Sequence, residues 1–587
     1  MVRWRKLSGH FSLYSVQRLI DTEFNVDHLS IRDIQGEGLR SSYAGQNVLV
    51  HGLVTGVLRR GFYIQTPNKE WDRCGSDAIF VYSPVWKPEL GEYLEVHGEC
   101  VDYYKHETAK PFTQIQLEQA HVLSAQDLQV HPIELSQALL PESNSELATV
   151  LNSLEGMLLR INPGQTFIAP SNFHGDYVIA LDSPQLDKSM IRSPHGGAIV
   201  QPENPMRWYP GFRIFNPNHA VRVNLGAKLT SPVVGPLHYR SDSYQLAVNA
   251  AFEIDQNYIE LGTSRIQSTP GAISILTLNC FNLDPHVEAE RRVTNPRLDV
   301  DDDVGEGRFH TLAQAIVLQA QSPDIVALQE IQDNDGAELT TEVDASATYD
   351  LLIALIKELS GVEYLAIDVA PVSGQDGGQP GGNIRNAYLY RTDRVSLDAA
   401  SVRVLGQNDP SFDDSRKALM CHFTERDSGE TLAVINVHLA SKRHQASIFA
   451  PEEHAPGVDA KAHIRHAQAR AIRAEMDALT NAGIEYYVTG DFNDTEHSET
   501  LATIVGDNAT NLVLSLPPEE RYDYNHRGKL QVLMHGVVSK ETATRRDCRY
   551  EILHGNELIG VTPGEDSDKP SDHAYVIAQI DFTRGAE

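Results

Sequence analysis

Tyr486-Tyr487-Val488-Thr489-Gly490-Asp491-Phe492-Asn493-Asp494 joins a run of aromatic and β-branched residues to a glycine and then to polar side chains. The run predicts a buried strand, and the glycine with the polar residues after it marks an abrupt carboxyl end. Asp491 and Asn493 are two apart, so extended backbone sends both to one side. A carboxylate beside an amide suits a hard cation, or a water that has to be aimed at phosphorus. Taken alone, Gly490-Asp491-Phe492-Asn493 serves equally as a turn after a core strand. Four other apolar runs in this half of the chain are also tipped by polar residues: Asn279, Glu330, His438, and the pair Asp572-His573. One such residue is usually a cap. Five tips drawn from Asn, Glu, His and Asp describe a metal-assisted hydrolase, with oxygen and amide ligands and two histidines for proton or charge work.

Around these tips, strand-like and helix-like runs alternate from Gly271 to the end, which predicts a layered α/β domain over 271–587. Apolar residues recur at helical spacing from Arg308 to Gln321, from Tyr349 to Leu359 and from Ala460 to Thr480. Upstream the pattern is different. Residues 31–124 read as five short strands with glycines at the bends, which fits a small closed barrel. Residues 125–254 continue in β style with long loops and suggest a second barrel-like module, and residues 255–270 serve as a linker. Residues 1–30 form an irregular N-terminal segment.

At 587 residues the chain is too long for one core. Its net charge of −31 repels nucleic acid and anionic membrane at long range, which makes the chain a poor candidate for a passive nucleic-acid coat. A phosphodiester substrate would need a metal and a few local cations to offset that field. Five scattered cysteines, with no CxxC pair, predict reduced thiols rather than a disulfide framework or a zinc site. No stretch of about eighteen apolar residues occurs, so no membrane partner is expected. The basic start Met1-Val2-Arg3-Trp4-Arg5-Lys6 leads into no apolar signal core. A cytoplasmic location is therefore expected, or an extracellular or periplasmic one if a signal has been removed. No obligate protein partner is evident.

The order Thr277-Leu278-Asn279, Leu328-Gln329-Glu330-Ile331, Asn436-Val437-His438-Leu439, Gly490-Asp491-Phe492-Asn493 and Ser571-Asp572-His573 resembles the endonuclease/exonuclease/phosphatase (DNase-I-like) superfamily. Ser441-Lys442 and Gly381-Gly382-Asn383-Ile384-Arg385 resemble its bacterial extracellular-nuclease branch, as does the front module with Ile34-Gln35-Gly36-Glu37-Gly38, which is similar to an OB-type barrel. The resemblance implies a four-layer α/β sandwich with the site at the loop end. It implies that Asn279, Glu330 and Asp572 hold Mg²⁺, with Mn²⁺ or Ca²⁺ as alternatives. Asp491 would orient or deprotonate the attacking water, and Asn493 would position that water or the phosphate. His573 would sit on the scissile phosphate, and His438 would be a second phosphate contact or the general acid. Arg385 and Lys442 would be phosphate clamps. Nucleic acid is the implied substrate, with endonuclease and exonuclease action both open.

One motif departs from the family pattern. Met534, in Leu533-Met534-His535, stands where an aspartate would hold the phosphate-binding histidine in its working tautomer. A thioether cannot do this. Either another acid such as Asp523 takes its place, or His573 is less well poised. Three readings follow: a nuclease, a hydrolase of small or lipid phosphate esters, and a non-catalytic binding protein with a degenerate site. In the last reading the front barrel would bind single strands through Phe62, Tyr63, Phe80, Tyr82, Arg59 and Arg60; the alternative is that these aromatics fill the barrel.

Overall fold

The computed structural model describes residues 28–583 apart from 106–108, 125, 142–143, 182–190, 200–211, 216–219, 241–242, 443–458, 460 and 565–568. Most of the expected N-terminal segment therefore lies outside the described residues. The chain forms two compact units. The first is built on β1 (Asn47–Leu58), β2 (Gly61–Gln65), β3 (Ala78–Tyr82), β4 (Tyr93–Tyr103) and β5 (Phe112–Val122), which close into a barrel in the order β1-β2-β3-β5-β4. Phe62, Tyr63 and Phe80 are buried, and only Arg59 and Arg60 at the β1–β2 turn are exposed. Phe62 packs inside the barrel with Ile64, Ile79 and Val81, whereas Tyr63 and Phe80, which pair across β2 and β3, are buried on its outer face.

The second unit holds both the remaining β-rich region and the α/β fold. Among the described residues, nine short strands between Ile133 and Asp255 line up edge to edge in one sheet and form no second closed barrel. Short glycine-bounded strands read alike whether a sheet closes or stays open. Two further strands, Ile191–Arg192 and β6 (Ala198–Ile199), leave this sheet and pair with each other, and β6 pairs onward elsewhere.

The α/β fold has two sheets. The first runs β9 (Tyr364–Asp368), β10 (Arg385–Arg391), β8 (Ile325–Ile331), β7 (Ala272–Leu283), β20 (Tyr575–Asp581), β19 (Asp547–Leu553). The second runs β11 (Val395–Leu405), β12 (Ala418–Glu425), β13 (Thr431–His438), β14 (Glu485–Asp491), β18 (Met534–Ser539), β15 (Ala509–Asn511). Alternate residues face each other across the gap: Ile273, Ile275, Ile325 and Ala327 meet Leu432, Val434, Tyr487 and Val538. The opposite parity, Leu276, Leu278, Val326 and Leu328, packs under helices α1 (Arg308–Gln314) and α2 (Ser346–Ser360). Ala433, Ile435, Tyr486 and Val488 do the same under α3 (Ala462–Asn481) and α4 (Glu499–Val505). The result is a helix–sheet–sheet–helix sandwich, which explains why the central strands read as unbroken apolar runs. Among the described residues no helix is long and apolar enough to cross a membrane.

Towards the carboxyl ends of β7, β8, β13 and β14 the gap between the sheets turns polar. Thr277 Oγ1 meets Thr489 Oγ1 at 2.6 Å. Gln329 Nε2 donates to Asn436 Oδ1 at 2.7 Å, and Asn436 Nδ2 donates to the carbonyls of Leu328 and Ala387 at 2.9 and 3.1 Å. These groups are buried, so each lost partner costs the full desolvation of the one left behind. Asn436→Leu leaves one amide and two carbonyls without their bonds. It is expected to lower unfolding free energy by about 2–4 kcal/mol, measured by urea denaturation.

Candidate active site

The polar tips converge just above this layer. Strand parity sends Asn279, His438 and Asp491 into the gap between the sheets, continuing the Ile275–Thr277, Val434–Asn436 and Tyr487–Thr489 faces. Glu330 has the wrong parity, since Val326 and Leu328 face the helices. A positive φ of 57° at Glu330 breaks the alternation and turns its carboxylate towards the second sheet. His438 Nε2 then lies 3.7 Å from Glu330 Oε1 and 3.6 Å from Asp491 Oδ2. Gly490 makes the close approach possible: its φ is 128°, and a Cβ there would lie 2.0 Å from the Val437 carbonyl oxygen.

Asn493, at φ 51°, curls back on Asp491. Its backbone N–H donates to Asp491 Oδ1 at 2.8 Å, and its Nδ2 donates to Asp491 Oδ2 and the Leu439 carbonyl at 3.2 and 3.1 Å. The carboxylate is thereby oriented on two sides. Burial raises the Asp491 carboxyl above the usual range, and the charge of His573 opposes that. His573 Nε2 lies 3.9 Å from Asp491 Oδ2 and 4.0 Å from Asp572 Oδ1.

The other ring nitrogen of His573 answers the question raised by Met534. Nδ1 is 2.9 Å from Asp523 Oδ1, while Asp523 Oδ2 accepts from the backbone N–H groups of Leu533 and Met534 at 2.7 and 2.9 Å. Asp523, fully buried, takes the orienting role from a neighbouring strand end, and the Met534 backbone holds it there. Burial works against an imidazolium at His573. The hydrogen bond that His573 donates to Asp523 and the charges of Asp572, Asp491 and Asp523 outweigh burial and lift the pKa to about 10. His438 goes the other way: burial, Arg416 and His573 hold it well below the ordinary value, so it is neutral at pH 7.

Of the two expected clamps, Arg385 lies on the far face of its strand. Arg385 shares its face of β10 with Ala387 and Leu389, which pack under the helices. Its Nη1 donates to the Val343 carbonyl and to Asp368 at 2.5 and 3.1 Å, on the helix side of the sheet. Arg416 is the guanidinium whose charge acts on Glu330, His438 and Asp491. It sits just before β12 and donates to the Leu439 carbonyl at 3.0 Å. Nothing in Ser415-Arg416-Lys417 marks it in the sequence. Lys442 lies at the rim, 3.2 Å from Asp494 Oδ1 and 3.4 Å from Gln531 Oε1.

Asn279, Glu330 and Asp572 form a donor set of one amide and two carboxylates. Burial first, then the charge of Asp572, raises the Glu330 carboxyl, while a hydrogen bond from Asn279 lowers it. Two carboxylates whose charges oppose each other, beside an amide, fit a hard divalent cation, which would remove the like-charge penalty. A second acidic group was not foreseen: Asp284, Glu288 and Asp301 bring one oxygen each within 4.8 Å of one another. Burial and the neighbouring Glu288 raise Asp284 to about 8.

Residues 301–524 match the model of the Endonuclease/Exonuclease/phosphatase family. Residues 120–257 match a domain of unknown function (DUF8508). No curated protein matches the chain. Among solved structures, a humanized D. rerio TDP2 with 14 mutations is similar at 16% identity and a TM-score of 0.34, covering 53% of this chain and 99% of that one. The human Nocturnin catalytic domain is similar at 16% identity and a TM-score of 0.34, covering 53% and 95%. A mannosyl-6-phosphatase of Bacteroides thetaiotaomicron VPI-5482 is similar at 15% identity and a TM-score of 0.32, covering 52% and 99%.

Replacing Asp523 with Asn keeps an oxygen for the two backbone amides but turns an NH₂ donor towards His573 Nδ1. The expected result is a near-parental fold with the proton moved to Nε2, read from the ¹⁵N chemical shifts of His573. Asp523→Ala instead leaves two buried amides unpaired and is expected to cost about 2–4 kcal/mol in urea unfolding.

Proposed function

We propose that this chain is a divalent-metal-dependent phosphodiesterase whose substrate is nucleic acid, DNA or RNA. The observation that carries the reading is the Asp523–His573–Asp491 arrangement: an imidazolium oriented from behind by one carboxylate and facing a second that two Asn493 donors hold in place. Such a pair suits a phosphodiester, whose non-bridging oxygens gather negative charge as a water attacks.

In this reading Asp491 orients the attacking water and takes its proton, with its raised basicity suited to the task. Asn493 fixes the carboxylate's direction. His573, charged at neutral pH, sits on the scissile phosphate. His438 is neutral and so serves as a second N–H contact to the phosphate rather than as a store of charge. Arg416 replaces Arg385 as the nearby guanidinium that offsets the site's acids. Asn279, Glu330 and Asp572 would hold Mg²⁺ or Mn²⁺. When bound, the ion supplies Lewis-acid polarisation of a phosphoryl oxygen.

The net charge of −31 favours a second reading, a small phosphate ester, because it repels a long polyanion. Plasmid and labelled-oligonucleotide digestion separates the two. Cleavage that needs Mg²⁺ and stops with chelator is expected for the parent. His573→Ala and Asp491→Ala are each expected to lose at least about a hundredfold in rate. Parental cutting by both variants would show that the residues are wrongly assigned.

A further inference from the structure

Beside His573 stands a hairpin, β16 (Tyr524–His526) and β17 (Lys529–Gln531), closed by Arg527 at φ 52° and Gly528 at φ 88°. Two left-handed residues make the tight turn that matches strand twist. Pairing sets Tyr524 opposite Gln531, Asn525 opposite Leu530, and His526 opposite Lys529. Opposite residues share a face, so the hairpin has two different sides. Leu530 packs with Ile199 and Leu225 of the β-rich region, and Asn525 Nδ2 donates to the Ile168 carbonyl at 3.0 Å. β6 extends the hairpin by parallel pairing, Ala198 with Lys529 and Ile199 with Leu530. That side is a fixed support.

The other side faces the site. The Tyr524 ring stacks on His573, with centroids 4.8 Å apart and planes 26° apart, and His526 stacks on Tyr524 at 6.4 Å and 19°. The three rings continue from the centre of the site outward along the hairpin. Cations lie beside them: Lys529 is on this face, and Lys442 reaches Gln531 at 3.4 Å. Among the described residues Lys529 and Arg527 have no carboxylate partner, in a chain where acids outnumber Lys and Arg 80 to 49.

We propose that this face, with Tyr524, His526, Lys529 and Lys442, is a second anion subsite that holds a phosphate flanking the scissile one on a nucleic-acid strand. This rests on the nuclease reading and specifies how the acidic protein grips its substrate. Rings that accept a base's flat face, next to cations that track the backbone, are how single strands are held without regard to sequence. The electrostatics agree. Burial, then Arg527 and Lys442, pull Lys529 down to about 8, and burial with four surrounding cations pulls His526 to about 3. An incoming phosphate relieves that crowding.

The test compares kcat/KM for a single-stranded oligonucleotide with kcat/KM for a chromogenic diester carrying one phosphate, both with Mg²⁺. In Lys529→Ala the oligonucleotide-to-diester ratio is expected to fall about tenfold or more, and Lys529→Arg to restore most of it. The slope of log kcat/KM against log salt for the oligonucleotide is expected to lessen by about one. An unaltered ratio, whether both constants hold or both fall together, overturns the subsite. A parent that hydrolyses the diester but neither DNA nor RNA removes the nuclease reading and the subsite with it. A cleaving parent with an unaltered ratio in the variant removes the subsite alone.

Discussion

The bond between Gln329 and Asn436 ties the two sheets together one residue below Glu330 and two below His438. Apolar packing between sheets is tolerant: side chains of similar size can slide by a fraction of an ångström at little cost. An amide that bonds one amide and two carbonyls across a dry gap cannot slide without losing them. The Thr277–Thr489 contact adds a second fixed point beneath Asn279 and Asp491. Tips carried by different sheets can therefore be held at defined distances, which a greasy interface alone would leave loose.

Above that layer the site depends on backbone that most residues avoid. Glu330 and Asn493 lie in the left-handed region, and Gly490 takes a φ that a Cβ would forbid. Each departure sends one oxygen or amide where regular pleating would not. Such strain persists only when the surroundings over-determine it. The fully buried strands below and the paired amides between them provide that frame. The charges are balanced in the same spirit. One imidazole is held cationic by three carboxylates, and the other is held neutral by burial and two cations.

How much of this was legible depended on whether the cause was local. The tips Asn279, Glu330, His438, Asp491 and Asp572-His573 could be read because each ends or opens a long apolar run; two-residue periodicity fixes the side of Asn279, His438 and Asp491, whereas Glu330 reaches the gap only through its left-handed backbone. The central strands β7, β8, β13, β14 and β20 were legible for the same reason. The half-exposed edge strand β11 carries no such signal, and β12 was passed over with it. Asp523 stood only as an alternative, since its link to His573 spans 50 residues. Arg385 misled because parity counted from β10 sends it to the helices, and Arg416 was hidden because nothing adjacent to it is unusual. The pairing of β6 with β17 joins segments some 330 residues apart in number, and no local pattern announces it.

That last pairing ties the fate of one region to the other. Residues 301–524, the portion matching the family, stop at the first residue of β16. Were the catalytic sandwich produced without the preceding β-rich stretch, β17 would show a row of unsatisfied amides and carbonyls and the bare flank of Leu530 to water. An open border of that kind recruits copies of itself. The stretch of unknown function thus acts as a sheath for its neighbour, covering the edge of β17 and the flank of Leu530.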